Sequence, residues 1–226
     1  MRVRFWGTRG SIAVPGPGTN HFGGNTSCVE LTTDRGDLLI FDCGTGARQL
    51  AAKLMAQGRK EINANILLGH THWDHIQGFP FFTPAFVKGN AVAIYGPEGS
   101  RGPLHEVLAG QMEFTYFPVD LTQLPATITY HDLTEGIHTI GGTRVATASL
   151  LNGFRIQAES IERAGRSPEP RMKSRPYSAR RPFSRRKWNL GIVGNTLHCD
   201  HSPAPDQMLR CELSAILRAI DAALLR

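Results

Sequence analysis

The chain has 226 residues, 25 Lys and Arg against 19 Asp and Glu, a formal net charge of +6 and 41% hydrophobic residues. That is enough for one sizeable domain with a real core or for two small ones, of ordinary globular composition. No apolar run reaches the roughly 18 residues of a membrane helix, and Met1–Trp6 has no apolar leader stretch, so the expectation is a cytoplasmic protein with no membrane partner.

The charge is not evenly spread. Residues 153–187 hold nine Arg and two Lys against three Glu, a local balance of +8, leaving 14 basic against 16 acidic residues elsewhere. Cys28, Cys43, Cys199 and Cys211 show no CxxC spacing and read as unpaired thiols.

In chain order, Arg2–Trp6 is a short strand closed by Gly7. Residues 7–26, dense in Gly, Pro, Asn and Thr, form a long loop of the kind that often shapes a site. Cys28–Thr33 and Asp37–Phe41 flank a hairpin turn at Asp34-Arg35-Gly36. A helix is predicted over Ala47–Gln57, with Leu50, Ala51 and Leu54 on one face and Gly58 as its stop. Ala64–Leu68 is an apolar run ending in Gly69, a buried strand. Ala91–Tyr95 is another strand, Pro103–Met112 a short helix, and Ala126–Tyr130, Gly136–Ile140 and Thr143–Leu151 further strands, the last two joined at Gly141-Gly142. Interleaved strands and helices imply a mixed α/β architecture.

Beyond residue 152 the pattern changes. Residues 153–187 are rich in Ser, Pro and Arg, with few bulky apolar residues to offset the entropy of ordering. Arg180-Arg181 and Arg185-Arg186-Lys187, interleaved with Tyr177, Phe183 and Trp188, read either as a nucleic-acid contact or as a disordered basic segment of non-specific affinity. Over 203–226, Leu209, Leu213, Ile216, Leu217, Ile220 and Leu224 recur at helical spacing, predicting an amphipathic helix. Three regions follow: 1–152, 153–197 and 198–226.

The chemistry is concentrated in His70-Thr71-His72-Trp73-Asp74-His75. His70 and His72, two apart on extended backbone, point the same way, and Asp74 and His75 follow on a turn. Imidazole and carboxylate suit Zn²⁺ and similar divalent ions, and a strand immediately before the motif would anchor it.

The HTHWDH run resembles the signature of metallo-β-lactamase-fold hydrolases. RFWGTRGSIAVPGPGT, GGNTSCVEL and LLIFDCGTGARQL are similar to the branch containing ribonuclease Z and cyclic-nucleotide or cyclic-phosphate phosphodiesterases, over about residues 1–152. The resemblance implies a four-layer α/β/β/α sandwich with two divalent metal ions, Zn or alternatively Mn or Fe. His70 and His72 would bind one ion, Asp74 and His75 the other, and Asp74 could orient a metal-bound hydroxide. Asp42 matches a carboxylate that supports such sites from behind the ligands, although a turn or cap role suits it equally. Arg9 and Asn25 are candidate phosphate contacts. The implied activity is hydrolysis of a cyclic nucleotide, cyclic phosphate or RNA end, and the implied assembly a homodimer; a thioester or lactone substrate is a further option of the fold.

The same family takes a third His, a bridging Asp and a last His from its C-terminal half. Here Leu151-Asn152 is followed by Gly153-Phe154-Arg155-Ile156 where the turn bearing the third His is expected. No Thr-Asp pair is found in the Ser/Pro/Arg-rich stretch. His198 or His201, in an HxDH repeat, could stand in. Two accounts of 153–197 remain open, a divergent insertion and a disrupted reading frame. The alternative to a working hydrolase is an impaired member that binds metal or nucleic acid without turnover.

Overall fold

The structure, a computed structural model, describes residues 1–97, 102–150, 153–160, 189–193 and 196–200. Its first sheet has the order β1-β2-β3-β4-β5-β6, from β1 (Arg2–Gly7), β2 (Cys28–Thr32), β3 (Leu38–Phe41), β4 (Asn63–Leu67), β5 (Ala91–Pro97) and β6 (Thr127–Leu133). The β1–β2 and β2–β3 pairs are antiparallel, while β3 to β6 run parallel. Each parallel step needs a crossover. These are α1 (Gly46–Ala56), the segment containing α2 (Trp73–Ile76), and α3 (Leu104–Gln111). The second sheet is antiparallel, with β7 (Gly136–Ile140), β8 (Thr143–Leu150), β9 (Gly153–Ser160), β10 (Asn189–Val193) and β11 (Thr196–Asp200) in the spatial order β11-β10-β9-β8-β7.

Side-chain alternation along β3 explains the layering. Leu38 and Ile40 join Leu50, Leu54, Ile66, Ile94, Leu104 and Leu108 in a core between the first sheet and its helices. Leu39 and Phe41 face the other way, onto Ile140, Val145 and Ile156 of the second sheet. A strand buried on both faces reads as an unbroken apolar run, and Leu-Leu-Ile-Phe is one. Helices, sheet and sheet thus make three layers of the expected sandwich. The helix read over 203–226, with Asp206, Asp221 and Cys211, lies outside the described residues.

Boundaries differ from the sequence reading where tertiary contacts decide them. Past the apparent break at residue 152 the sheet continues, because β9 pairs antiparallel with β8 from Leu150↔Gly153 to Thr143↔Ser160. Pairing with an existing strand supplies order that composition alone did not promise. The Arg clusters and aromatics of 161–188 lie outside the described residues. Residues 77–90, to which no element was assigned, make two 3-10 turns that bury Phe79, Phe82 and Ala85. Gly58 has φ 63°, and Gly141 and Gly142 have φ 51° and 69°, as their predicted stop and hairpin roles require. Cys28 and Cys43 are free and buried.

One polar group is built into the helix-facing side of β2. Glu30 is 2% exposed. It accepts from Lys53 Nζ of α1 at 3.0 and 3.1 Å and from Trp6 Nε1 at 2.9 Å, with an Arg2 nitrogen at 3.8 Å. Burial pushes its pKa up, but the Lys53 and Trp6 hydrogen bonds and the Lys53 and Arg2 charges hold it below the ordinary carboxylate value. Such a group stabilises the fold above its unfolded-state pKa, and that contribution fades as pH falls through the lower, folded-state value. Lys53→Met should therefore cost about 1–3 kcal/mol at neutral pH, less than a fully buried broken pair because Lys53 is partly exposed. The difference from wild type should shrink in acid, which denaturant melts across the carboxylate range would check.

Candidate metal centre

Parallel sheets open their binding crevices at the C-terminal ends of strands. Asp42 follows β3, and Gly69 and His70 follow β4, the neighbouring parallel strand. The motif bends at once into the four-residue helix α2, which carries Asp74, His75 and Ile76 inward. Asp74 is 7% and His75 1% exposed.

His70, Asp74 and His75 each place a ligand atom within 4.8 Å of the others. The rings of His70 and His75 are 4.0 Å apart, and His75 Nε2 lies 3.3 Å from Asp74 Oδ2. His72 falls outside this triad. It is exposed at the N-cap of α2, its ring edge-on to His70 at 4.6 Å. Two of the four motif donors therefore sit buried, one half-buried and one at the rim. His198 lies on β11, opposite Gly191. His201 is outside the described residues.

Asp42 takes the supporting position. Fully buried, it approaches His75 Nδ1 at 2.7 Å through Oδ2, accepts from Ser27 Oγ at 2.7 Å and takes Gly69 N–H at 3.1 Å through Oδ1. A carboxylate can only accept, so the proton belongs on Nδ1 and the Nε2 lone pair is turned toward the triad. Asp42 has φ 59°, a left-handed conformation that Asp tolerates better than most residues. Asp42→Asn should keep that backbone and lose the carboxylate. We expect about 10–100-fold weaker metal affinity, read by competition with a chromogenic chelator.

The protonation state leaves ligand lone pairs available here. Burial pushes the His70 pKa down to about 4, reinforced by His75 and His72 against the opposing pull of Asp42 and Asp74. His70 is then neutral near pH 7 and offers a lone pair. Neutral imidazole, a second imidazole set by a carboxylate, and a further carboxylate form a donor set that fits a divalent ion.

Backbone contacts hold the turn in place. Cys43 N–H donates to His75 O at 2.7 Å, and Gly78 N–H to Cys43 O at 2.8 Å. A Cβ on Gly78 would stand 1.9 Å from Gly44 O, and one on Gly44 would stand 2.2 Å from Asp74 O. The long loop after β1 is tied on as well, because Ser11 N–H donates to Asp74 Oδ2 at 2.8 Å. Ser11 has φ 68°, and sequence offered no signal for this contact. Of the candidate phosphate contacts, Arg9 donates from Nε to Ile12 O at 3.0 Å. Asn25 instead accepts from Thr45 Oγ1 at 3.2 Å, committing its side-chain oxygen to the loop.

No protein-family model matches the chain. Ribonuclease Z of Haloarcula marismortui is 31% identical over 129 residues, covering 56% of this chain and 38% of that protein. Ribonuclease Z of Methanosarcina mazei is 35% identical over 104 residues, covering 45% of this chain and 31% of that protein. Ribonuclease BN of Citrobacter koseri is 28% identical over 152 residues, covering 59% and 46%. The chain thus spans a third to a half of the length of these curated relatives. Among solved structures, a diphosphatase from the PhnP family superposes with a TM-score of 0.49 at 18% identity, over 68% of this chain and 60% of that one. With its layered sheets and the HxHxDH turn at the end of β4, the chain is similar in sequence, over about half its length, to ribonuclease Z proteins.

Proposed function

We propose that the chain is a metal-dependent phosphodiesterase acting on a cyclic nucleotide, a cyclic phosphate or an RNA end, with His70, His72, Asp74 and His75 as metal ligands. The observation that carries this reading is the triad His70, Asp74, His75, half-buried to buried, with Asp42 fixing the His75 tautomer. A divalent ion there would supply Lewis acidity to a phosphoryl oxygen and a water acidic near neutral pH. The protein's own part is orientation. Asp42 holds His75, Ser11 N–H holds one Asp74 oxygen, and Asp74 can steer or accept a proton from the attacking water. The ribonuclease Z relatives favour RNA or another phosphodiester over a thioester or lactone.

Metal-free protein should take up two equivalents of Zn²⁺ or Mn²⁺ and then hydrolyse bis(p-nitrophenyl) phosphate, with His72→Ala abolishing turnover. Uptake of one equivalent or none, without turnover under any metal, would instead favour a binding protein with an impaired site. That second reading has its own basis, since the described residues bring together three donors where a dinuclear centre needs more.

A further inference from the structure

The loop after β1 contains one strained turn. Ile12 N–H donates to Gly10 O at 2.9 Å, closing a three-residue turn with Ser11 at its centre and φ 68°. At positive φ this is the rare, costly form of such a turn, and it persists only where neighbouring structure over-determines it. Here the flanks do so. Thr8 and Arg9 N–H both reach Asn25 O, at 3.2 and 3.0 Å, and Val14 N–H reaches Gly24 O at 2.9 Å. Arg9 Nε spans the turn to Ile12 O at 3.0 Å. The Ser11 N–H takes no part in closing the turn and instead donates to Asp74 Oδ2 at 2.8 Å.

That oxygen is the one facing His75 Nε2 at 3.3 Å. With the His75 proton on Nδ1, toward Asp42, both atoms of the pair are acceptors and no proton lies between them. Such a pair repels itself unless a cation or another donor holds it. Two ligands about 2.0–2.1 Å from an ion in tetrahedral geometry stand about 3.3 Å apart, so this pair is already spaced for coordination. We propose that Ser11 is a positioning residue: its backbone amide, aimed by the strained turn, holds Asp74 Oδ2 at ligand spacing from His75 Nε2. This rests on the reading of Asp74 and His75 as metal ligands.

The test follows Zn²⁺ affinity of the full chain by competition with a chromogenic chelator, together with hydrogen exchange of the Ser11 amide by NMR. In metal-free wild type that amide should be protected although Ser11 is exposed, and Asp74→Ala should abolish the protection. Ser11→Val brings a β-branched side chain that does not tolerate this backbone, and should weaken Zn²⁺ binding by about 10- to 100-fold. Ser11→Gly should keep the affinity, because glycine retains both the donor and the positive φ. In the Asp74→Ala background, adding Ser11→Val should cost nothing further. An unprotected Ser11 amide in wild type, equal losses in Ser11→Gly and Ser11→Val, or additive losses in the double variant overturn the proposal. Loss of Zn²⁺ in Asp74→Ala without loss in Ser11→Val would sink the role of Ser11 and leave the metal ligands standing. Unchanged affinity in Asp74→Ala would sink the metal-ligand reading itself.

Discussion

Asp74→Asn is expected to lower phosphodiester turnover by about 10²–10⁴-fold, the range for removing a positioned acid–base group. The substitution is nearly isosteric, and Asn retains an oxygen to accept from Ser11 N–H, so the loop after β1 should stay in place. What disappears is the charge facing His75 Nε2 and His70. Fewer metal equivalents should be retained after dialysis, which separates this variant from Asp42→Asn, where the ion binds more weakly through a disoriented His75. Undiminished turnover and full metal content in Asp74→Asn would remove Asp74 from the site.

Gly78→Ala should be among the most damaging small changes in the described residues, at about 3 kcal/mol or more. The added carbon would stand 1.9 Å from Gly44 O, which is backbone on the other side of a hydrogen-bonded pair and cannot rotate away. At about 2–4 °C per kcal/mol for a protein of this size, the melting temperature should drop by roughly 6–12 °C. Gly110→Ala is the matching control. Gly110 lies within α3, a Cβ there meets nothing within 4 Å, and the change should stabilise by about 0.5–1 kcal/mol. Because Gly78 holds the end of α2 against the loop carrying Asp42, metal affinity should fall along with stability. Equal melting temperatures for Gly78→Ala and wild type would mean that the two backbone turns are not packed together as described.

The sequence alone carried the strand and helix order of the first half, because its signals are local. Leu38–Phe41 is apolar without interruption, Gly58 and Gly141-Gly142 mark backbone turns, and α1 has an apolar face. It also singled out the candidate metal motif, since four donors in six residues after a buried strand have few structural explanations, and three of the four come together. Other features depend on residues distant in the chain. Asp42 was equally readable as a turn residue until folding placed it 2.7 Å from His75, 33 positions away. Ser11, 63 positions from Asp74, gave no sign at all. Glu30 looked like an ordinary strand carboxylate, yet it is buried because α1 lays Lys53 across it. Gly44 and Gly78 are glycines for lack of space between two backbones, a requirement invisible in either segment by itself. Nor could composition foresee that Gly153–Ser160 would be ordered, since a weakly apolar strand draws its stability from β8 beside it. Residue types and short spacings determined which groups could bind a metal. Long-range packing decided that His70, Asp74 and His75 form the triad with Asp42 behind them, because a site's geometry is set by which backbones touch.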